Sequence, residues 1–243
     1  MKSEEQQQQH GDRGLSSTVA FVFSMLTHIL LLVSVLYIVG LGFQNYQLFS
    51  WHPICMALSA GFLLIEGVYA ISGEAFVSKK LTRKNRITLH WILHLVGLIL
   101  MTIGLVITIV NKNKLGKDHF VTTHAQLGLA VFVIVWVIAA FGILANNAQW
   151  FYPTVRPVLL KVVHSCAGIC MVILLLATVI NGTYTKWWGK SGGTETSKGL
   201  VFAALFIAGV LVIVKPIIGA IARTRVLMRP PPSAQSSSNV AAS

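Results

Sequence analysis

Apolar residues fall into six long runs separated by short polar connections. A run of about 20 apolar residues is the length that crosses a bilayer as a helix. The runs predict spans over 17–42, 51–73, 87–110, 122–146, 158–181 and 199–223. Gly, Ala and Ser are scattered through them, as close helix packing in lipid requires. The pattern predicts an all-α membrane protein of six transmembrane helices, with no room for a separate soluble domain. Residues 1–16 read as a polar N-terminal tail, 17–225 as the six-helix domain, and 226–243 as a Pro/Ser-rich disordered tail. The N-terminus lacks the basic start and short apolar core of a cleavable signal peptide, so the first run is taken as a span.

Composition agrees. The chain is 55% apolar and 11% charged, too few charges to coat a soluble globule. The net charge of +12 raises nucleic acid as a partner. The basic residues gather at span ends instead, and no nucleic-acid-binding module is present, so nucleic acid is set aside. Of the 19 Lys and Arg residues, 12 lie on the side of both tails and six on the other; Lys215 lies in the last span, where it is expected to snorkel. That bias places both termini in the cytosol. Cys55, Cys166 and Cys170 all fall within apolar runs and suggest no disulfide framework, and no CxxCH motif for covalent haem is present.

The chemistry lies in the histidines. Ionisable groups inside a bilayer are costly and are functional candidates by default. Six of the eight histidines lie in spans: His28, His52, His90, His94, His124 and His164. His52 and His124 sit near the non-cytosolic starts of the second and fourth spans. His90 and His164 sit near the cytosolic starts of the third and fifth. The four therefore sort into two layers separated by roughly 20 Å. Two histidines on facing helices at one depth can hold a planar haem through both axial positions, an arrangement that favours electron transfer over oxygen chemistry. The expectation is a central bundle of spans two to five holding two b-type haems, His52 with His124 and His90 with His164. The plainer alternative makes each histidine a hydrogen-bonding group between helices. His94, one turn after His90, is a rival ligand. His28 has no depth-matched partner and is expected to be a buried hydrogen-bonding group.

Glu66 is the acidic residue well inside a span, 14 residues past His52 and roughly 21 Å deeper. It is a candidate to relay protons or to pair with a base such as Lys161, with a structural hydrogen bond as the alternative. Trp51 and Trp91 flank two proposed ligands and are candidates to pack on porphyrin, whereas Trp187 and Trp188 fit an interfacial belt.

The chain resembles the cytochrome b561 family of transmembrane di-haem reductases, and its short animal type in particular. The resemblance is carried by Phe49-Ser50-Trp51-His52-Pro53, His90-Trp91, the stretch Leu115 to His124 with Gly128 after it, and Lys161-Val162-Val163-His164. It implies His90 rather than His94 as ligand. It also implies electron transfer from cytosolic ascorbate to monodehydroascorbate radical or ferric chelates across the membrane. Relatives form homodimers, and an internal membrane such as endoplasmic reticulum or vesicles is the expected location. The Tyr-Arg motif of many ascorbate-using members is absent from Gly67 to Glu74, and Val121-Thr122-Thr123-His124-Ala125 stands where Ser-Leu-His-Ser-Trp is familiar.

With ascorbate as an anionic donor, Arg86 and Lys161 are the leading candidates for its site, each about one turn before a ligand. Lys79, Lys80 and Arg83 are secondary candidates, since a basic cytosolic loop is expected from orientation alone. For the non-cytosolic acceptor the candidates are His119, which can also supply a proton, and Lys117, with Lys114 beside them. A ferric-chelate reductase with another donor, and a non-redox transporter or scaffold with structural histidines, are the alternatives.

Overall fold

The computed structural model describes residues 2–73 and 78–229, with side chains from residue 18 onward. Helix α1 (Lys2–Phe43) contains the first span. The second span is composite: α2 (Trp51–Met56), a π-helical stretch over Ala57–Leu63, and α3 (Leu64–Ser72). Then come α4 (Arg83–Lys114), α5 (Thr123–Asn146), α6 (Pro157–Thr183), the short α7 (Lys186–Lys190) and α8 (Glu195–Met228). Six helices are long and apolar enough to cross a membrane, matching the six predicted runs.

Local chemistry sets where the spans begin, and so the depth of each histidine. Thr82 accepts a hydrogen bond from the Asn85 amide at the start of α4, and Thr122 one from the Ala125 amide at the start of α5. Pro157 opens α6, where its missing N–H costs nothing. Thr194 and Ser197 form a reciprocal cap on α8. These starts place His124 in the first turn of α5 and His90 and His164 two turns into α4 and α6.

The second span is the most enclosed and runs through the middle of the molecule. It packs on α1, α4, α6 and α8, while α5 packs on α6 and α6 on α8. Leu31, Val35, Leu64, Ile65, Leu175, Leu205 and Val212 form the fully buried centre. The outward faces of the other spans are apolar, as a lipid-facing surface requires: Val33, Ile99, Val137, Ile143 and Phe206 are all exposed.

The π-helical stretch was not foreseen. It carries the small buried residues Ala57, Ser59, Ala60 and Gly61, and Ser59 Oγ donates to the Gly97 carbonyl of α4 at 2.6 Å. Each π turn takes up an extra residue, which turns the α3 half of the span relative to the α2 half.

Two boundaries also differ from expectation. Backbone helix extends from the first span back to Lys2, and α8 continues to Met228, past the expected start of a disordered tail at 226. Arg156 explains the second: its guanidinium donates to the carbonyls of Leu227 at 2.7 Å and Val226 at 3.3 Å, satisfying the end of α8. Residues 230–243 and Glu74 lie outside the described residues.

Candidate haem-binding histidine pairs

The predicted pairs form. The ring centroids of His52 and His124 lie 6.3 Å apart and the rings are at 83°. Those of His90 and His164 also lie 6.3 Å apart, at 85°. Two imidazole nitrogens bound in line to one ion, each at about 2.0–2.1 Å, put their ring centroids roughly 6.4 Å apart. Both gaps therefore suit a single metal between two imidazoles, and neither suits a direct hydrogen bond between rings. Among the described residues no group of three or more His, Cys, Asp or Glu side chains is placed to hold a metal ion.

Two of the four rings are oriented by the backbone of the adjacent span. His52 Nδ1 bonds the Gly104 carbonyl of α4 at 2.9 Å, and His90 Nδ1 bonds the Gly67 carbonyl of α3 at 2.8 Å. With Nδ1 protonated and held, Nε2 is the nitrogen left for a metal, the usual way a ligating histidine has its tautomer fixed. His124 Nδ1 is buried with no partner among the described residues. His164 Nδ1 is likewise buried with no partner among the described residues.

Glycines make room for the rings. A Cβ on Gly142 would come to 3.0 Å from His164 Cε1, and one on Gly182 to 3.2 Å from His124 Cε1. Gly182 and Gly142 thus pack on His124 and His164, whereas Gly104 and Gly67 meet His52 and His90 through their carbonyls, and a Cβ on Gly67 would overlap His94. Gly67 is 15 residues past His52, and Gly104 is 14 past His90. Both rulers put the two layers about 21–22 Å apart, in line with the expected separation. Phe49 stacks on His52 with centroids at 5.4 Å, and Phe141 stacks on His164 at 6.5 Å. Phe141 and the four glycines were missed in the sequence, although every ligand-bearing span carries its glycine 14–18 residues after its histidine.

His94 lies beside His90, centroids 4.2 Å apart, with Nδ1 on the His90 carbonyl at 2.8 Å. It is held by its own helix, and it is His90 that stands opposite His164.

Glu66 does not meet Lys161. The Glu66 carboxylate is buried and lies 2.7 Å from His28 Nδ1, tying the second span to α1, while Lys161 is exposed. His28 is thereby a hydrogen-bonding group, half-buried rather than buried, and Tyr69 lies 5.4 Å from its ring.

At the end where the basic residues gather, Arg86 is half-buried and packs on Gly73 at the end of α3. Gly73 has φ +79°, and a Cβ there would overlap the Arg86 guanidinium, so glycine is required on both counts. Lys79, Lys80, Arg83 and Lys161 are exposed. At the opposite end His119 Nε2 lies 2.7 Å from Asn113 Oδ1, and Lys112 Nζ donates to the Asp118 carbonyl at 2.5 Å, so this loop folds back onto the end of α4. Lys114 and Lys117 are exposed beside it. Trp51 and Trp91 are also exposed, with Trp51 Nε1 donating to Tyr46 OH at 2.6 Å. Trp188 departs from the interfacial belt: it is 2% exposed and donates Nε1 to the Thr194 carbonyl at 3.1 Å, so it plugs the turn before α8.

Six membrane-length helices around two matched histidine pairs define the class, a multi-pass membrane cytochrome. Residues 51–189 match the family model for eukaryotic cytochrome b561, which spans all four paired histidines. The chain belongs to the eukaryotic cytochrome b561 family, and with it to the membrane oxidoreductases. It is 31% identical over 169 residues to the human protein named Transmembrane reductase CYB561D2, covering 68% of this chain and 73% of that one. It is 27% identical over 164 residues to the mouse protein named Probable transmembrane reductase CYB561D1, covering 68% and 71%. A rat protein named Lysosomal membrane ascorbate-dependent ferrireductase CYB561A3 is 29% identical over 177 residues, covering 68% and 65%.

Proposed function

We propose that the chain carries single electrons across its membrane from ascorbate at the basic end to monodehydroascorbate radical or a ferric chelate at the opposite end. The observation that carries this is the equal 6.3 Å spacing of His52–His124 and His90–His164. Each pair would hold one haem b, which when bound supplies reversible one-electron chemistry.

The residues of the chain do the rest. The Gly104 and Gly67 carbonyls fix the tautomers of His52 and His90 and raise their basicity as ligands. Gly182 and Gly142 let His124 and His164 lie close against the neighbouring backbone. The apolar bundle around both pairs excludes water and keeps the local dielectric low. Arg86, fixed at a half-buried position, and the exposed Lys161, Lys79, Lys80 and Arg83 attract the ascorbate anion to the basic end. Ascorbate loses an electron and a proton there. At the opposite end the radical gains both, and His119, held by Asn113, is placed to supply the proton with Lys117 attracting the anion. The basic end is cytosolic by the excess of Lys and Arg, with both termini in the cytosol and the membrane an internal one such as endoplasmic reticulum or a vesicle. Glu66 serves as a structural partner of His28.

A ferric chelate as acceptor is favoured by the rat relative's name alone, and monodehydroascorbate by the position of His119 at that end. Reconstituted protein loaded inside with ascorbate separates them. Reduction of external monodehydroascorbate faster than of ferric citrate supports the first acceptor, and the reverse order supports the second. Reduction of neither removes both substrate assignments.

A further inference from the structure

We propose that Arg223 and Ser165 form an oxyanion site at the basic-end edge of the His90–His164 pair, taking either a haem propionate or the enolate oxygen of the donor. The proposal rests on His90 and His164 holding a haem.

Arg223 lies on α8, a helix outside the four spans that carry the paired histidines, and nothing in the sequence distinguished it from the other basic residues at this end. Its Nη1 donates to Ser165 Oγ at 2.8 Å, and Ser165 directly follows His164 on α6. The positive charge lies within electrostatic reach of the His164 ring. The guanidinium is half-buried and lies over Gly219, where a Cβ would come to 3.5 Å of Nη1. A basic residue near a helix end commonly extends outward to water. This one is turned inward, onto the residue beside a ligand.

No carboxylate meets it among the described residues. Glu66 is taken by His28, and Asp118 and Glu195 are at the opposite end. A guanidinium has five donors, and here one is used within the protein. Ser165 accepts from Arg223 and keeps its own hydroxyl hydrogen to donate. Together they present several hydrogens and a full positive charge at a poorly solvated site, the arrangement that binds an oxyanion by short charge-assisted bonds. The two anions that belong at this edge are the propionates of a haem held by His164 and the ascorbate anion.

The test uses the full-length haem-loaded chain with Arg223→Gln, Arg223→Lys and Ser165→Ala. The readouts are haem-to-protein ratio, redox titration of each haem, and KM for ascorbate against the rate with an uncharged reduced phenazine. If the anion is a propionate, Arg223→Gln lowers the potential of one haem, since loss of a positive charge favours its ferric form, and Arg223→Lys restores part of the shift. If the anion is the donor, KM for ascorbate rises about tenfold in Arg223→Gln and rises also in Ser165→Ala, which removes no charge and leaves both potentials in place, with the phenazine rate unchanged. Potentials and KM both equal to wild type in Arg223→Gln overturn the proposal. Should Arg223→Gln fail to retain haem, Ser165→Ala decides: a change in either readout upholds the site and no change in both overturns it. Failure of the underlying haem assignment is separately visible, as a wild-type chain lacking the second haem before any variant is made.

Discussion

The imidazole of His90 is tied at 2.8 Å to the backbone carbonyl of Gly67, a residue of the neighbouring span. A proposed ligand on α4 is thus oriented by a main-chain atom of α3 that no side-chain substitution deletes. His52 on α2 repeats the relation with Gly104 of α4 in the other layer. The two ends of one antiparallel helix pair therefore orient the two layers, and the second span carries a part of both.

Substitution of the paired histidines should divide by layer. His52→Ala or His124→Ala should remove one haem, and His90→Ala or His164→Ala the other, leaving about half the haem per chain in each variant. His94→Ala should keep both. Haem-to-protein ratio of purified variants reads this directly, and loss of haem in His94→Ala with retention in His90→Ala would reverse the ligand assignment.

The glycines should be nearly as sensitive as the ligands. Gly142→Val puts a branched side chain where even a Cβ reaches 3.0 Å from His164 Cε1. Overpacking of this kind costs about 1–3 kcal/mol. The expected result is weakened retention of the basic-end haem with the other haem kept, seen as faster haem loss to an apo-globin acceptor.

Glu66 and His28 should matter for stability rather than for the reaction. Removing one partner leaves the other buried and unsatisfied, at a cost of about 1–3 kcal/mol. Glu66→Ala should lower the unfolding temperature in detergent, Glu66→Gln should lower it less because the amide still bonds His28, and both should keep two haems and wild-type KM for ascorbate. A change in turnover with unchanged stability would return Glu66 to proton transfer.

Arg86 and Lys161 should differ in weight. Arg86 is held by packing on Gly73, whereas Lys161 is exposed and screened. Arg86→Gln should raise KM for ascorbate about tenfold, equivalent to one charge-assisted hydrogen bond. Lys161→Gln should raise it only a few-fold, by an amount that shrinks as salt is added. Unchanged KM in both variants would leave the basic end with an orienting role alone.

Much of this was legible because membrane length and histidine depth are both one-dimensional quantities. Six apolar runs fix six spans, and counting residues from each span start sorted His52, His124, His90 and His164 into two layers that do meet in space. What stayed hidden depends on rotation about the helix axis and on contacts between distant segments. The π-helical turns at Ala57–Leu63 turn the second span without changing its apolar pattern. Glu66 could not be matched to His28, 38 residues earlier, by depth alone, because α1 carries none of the four paired histidines and Lys161 was equally plausible by depth. Trp188 resembled its neighbour Trp187 in sequence, and the packing of the turn before α8 made it buried. Arg156 read as one more orienting charge until its bonds to the end of α8 appeared.

The central claim is that each histidine pair holds one haem and that ascorbate delivers electrons to them. The most direct measurement is the absorption spectrum and haem-to-protein ratio of the purified chain, first oxidised and then with ascorbate. Two low-spin b-type haems per chain, reduced at least in part by ascorbate, are the predicted result. A chain that binds no haem when haem is in full supply would contradict it, and would leave the two 6.3 Å histidine pairs without a ligand.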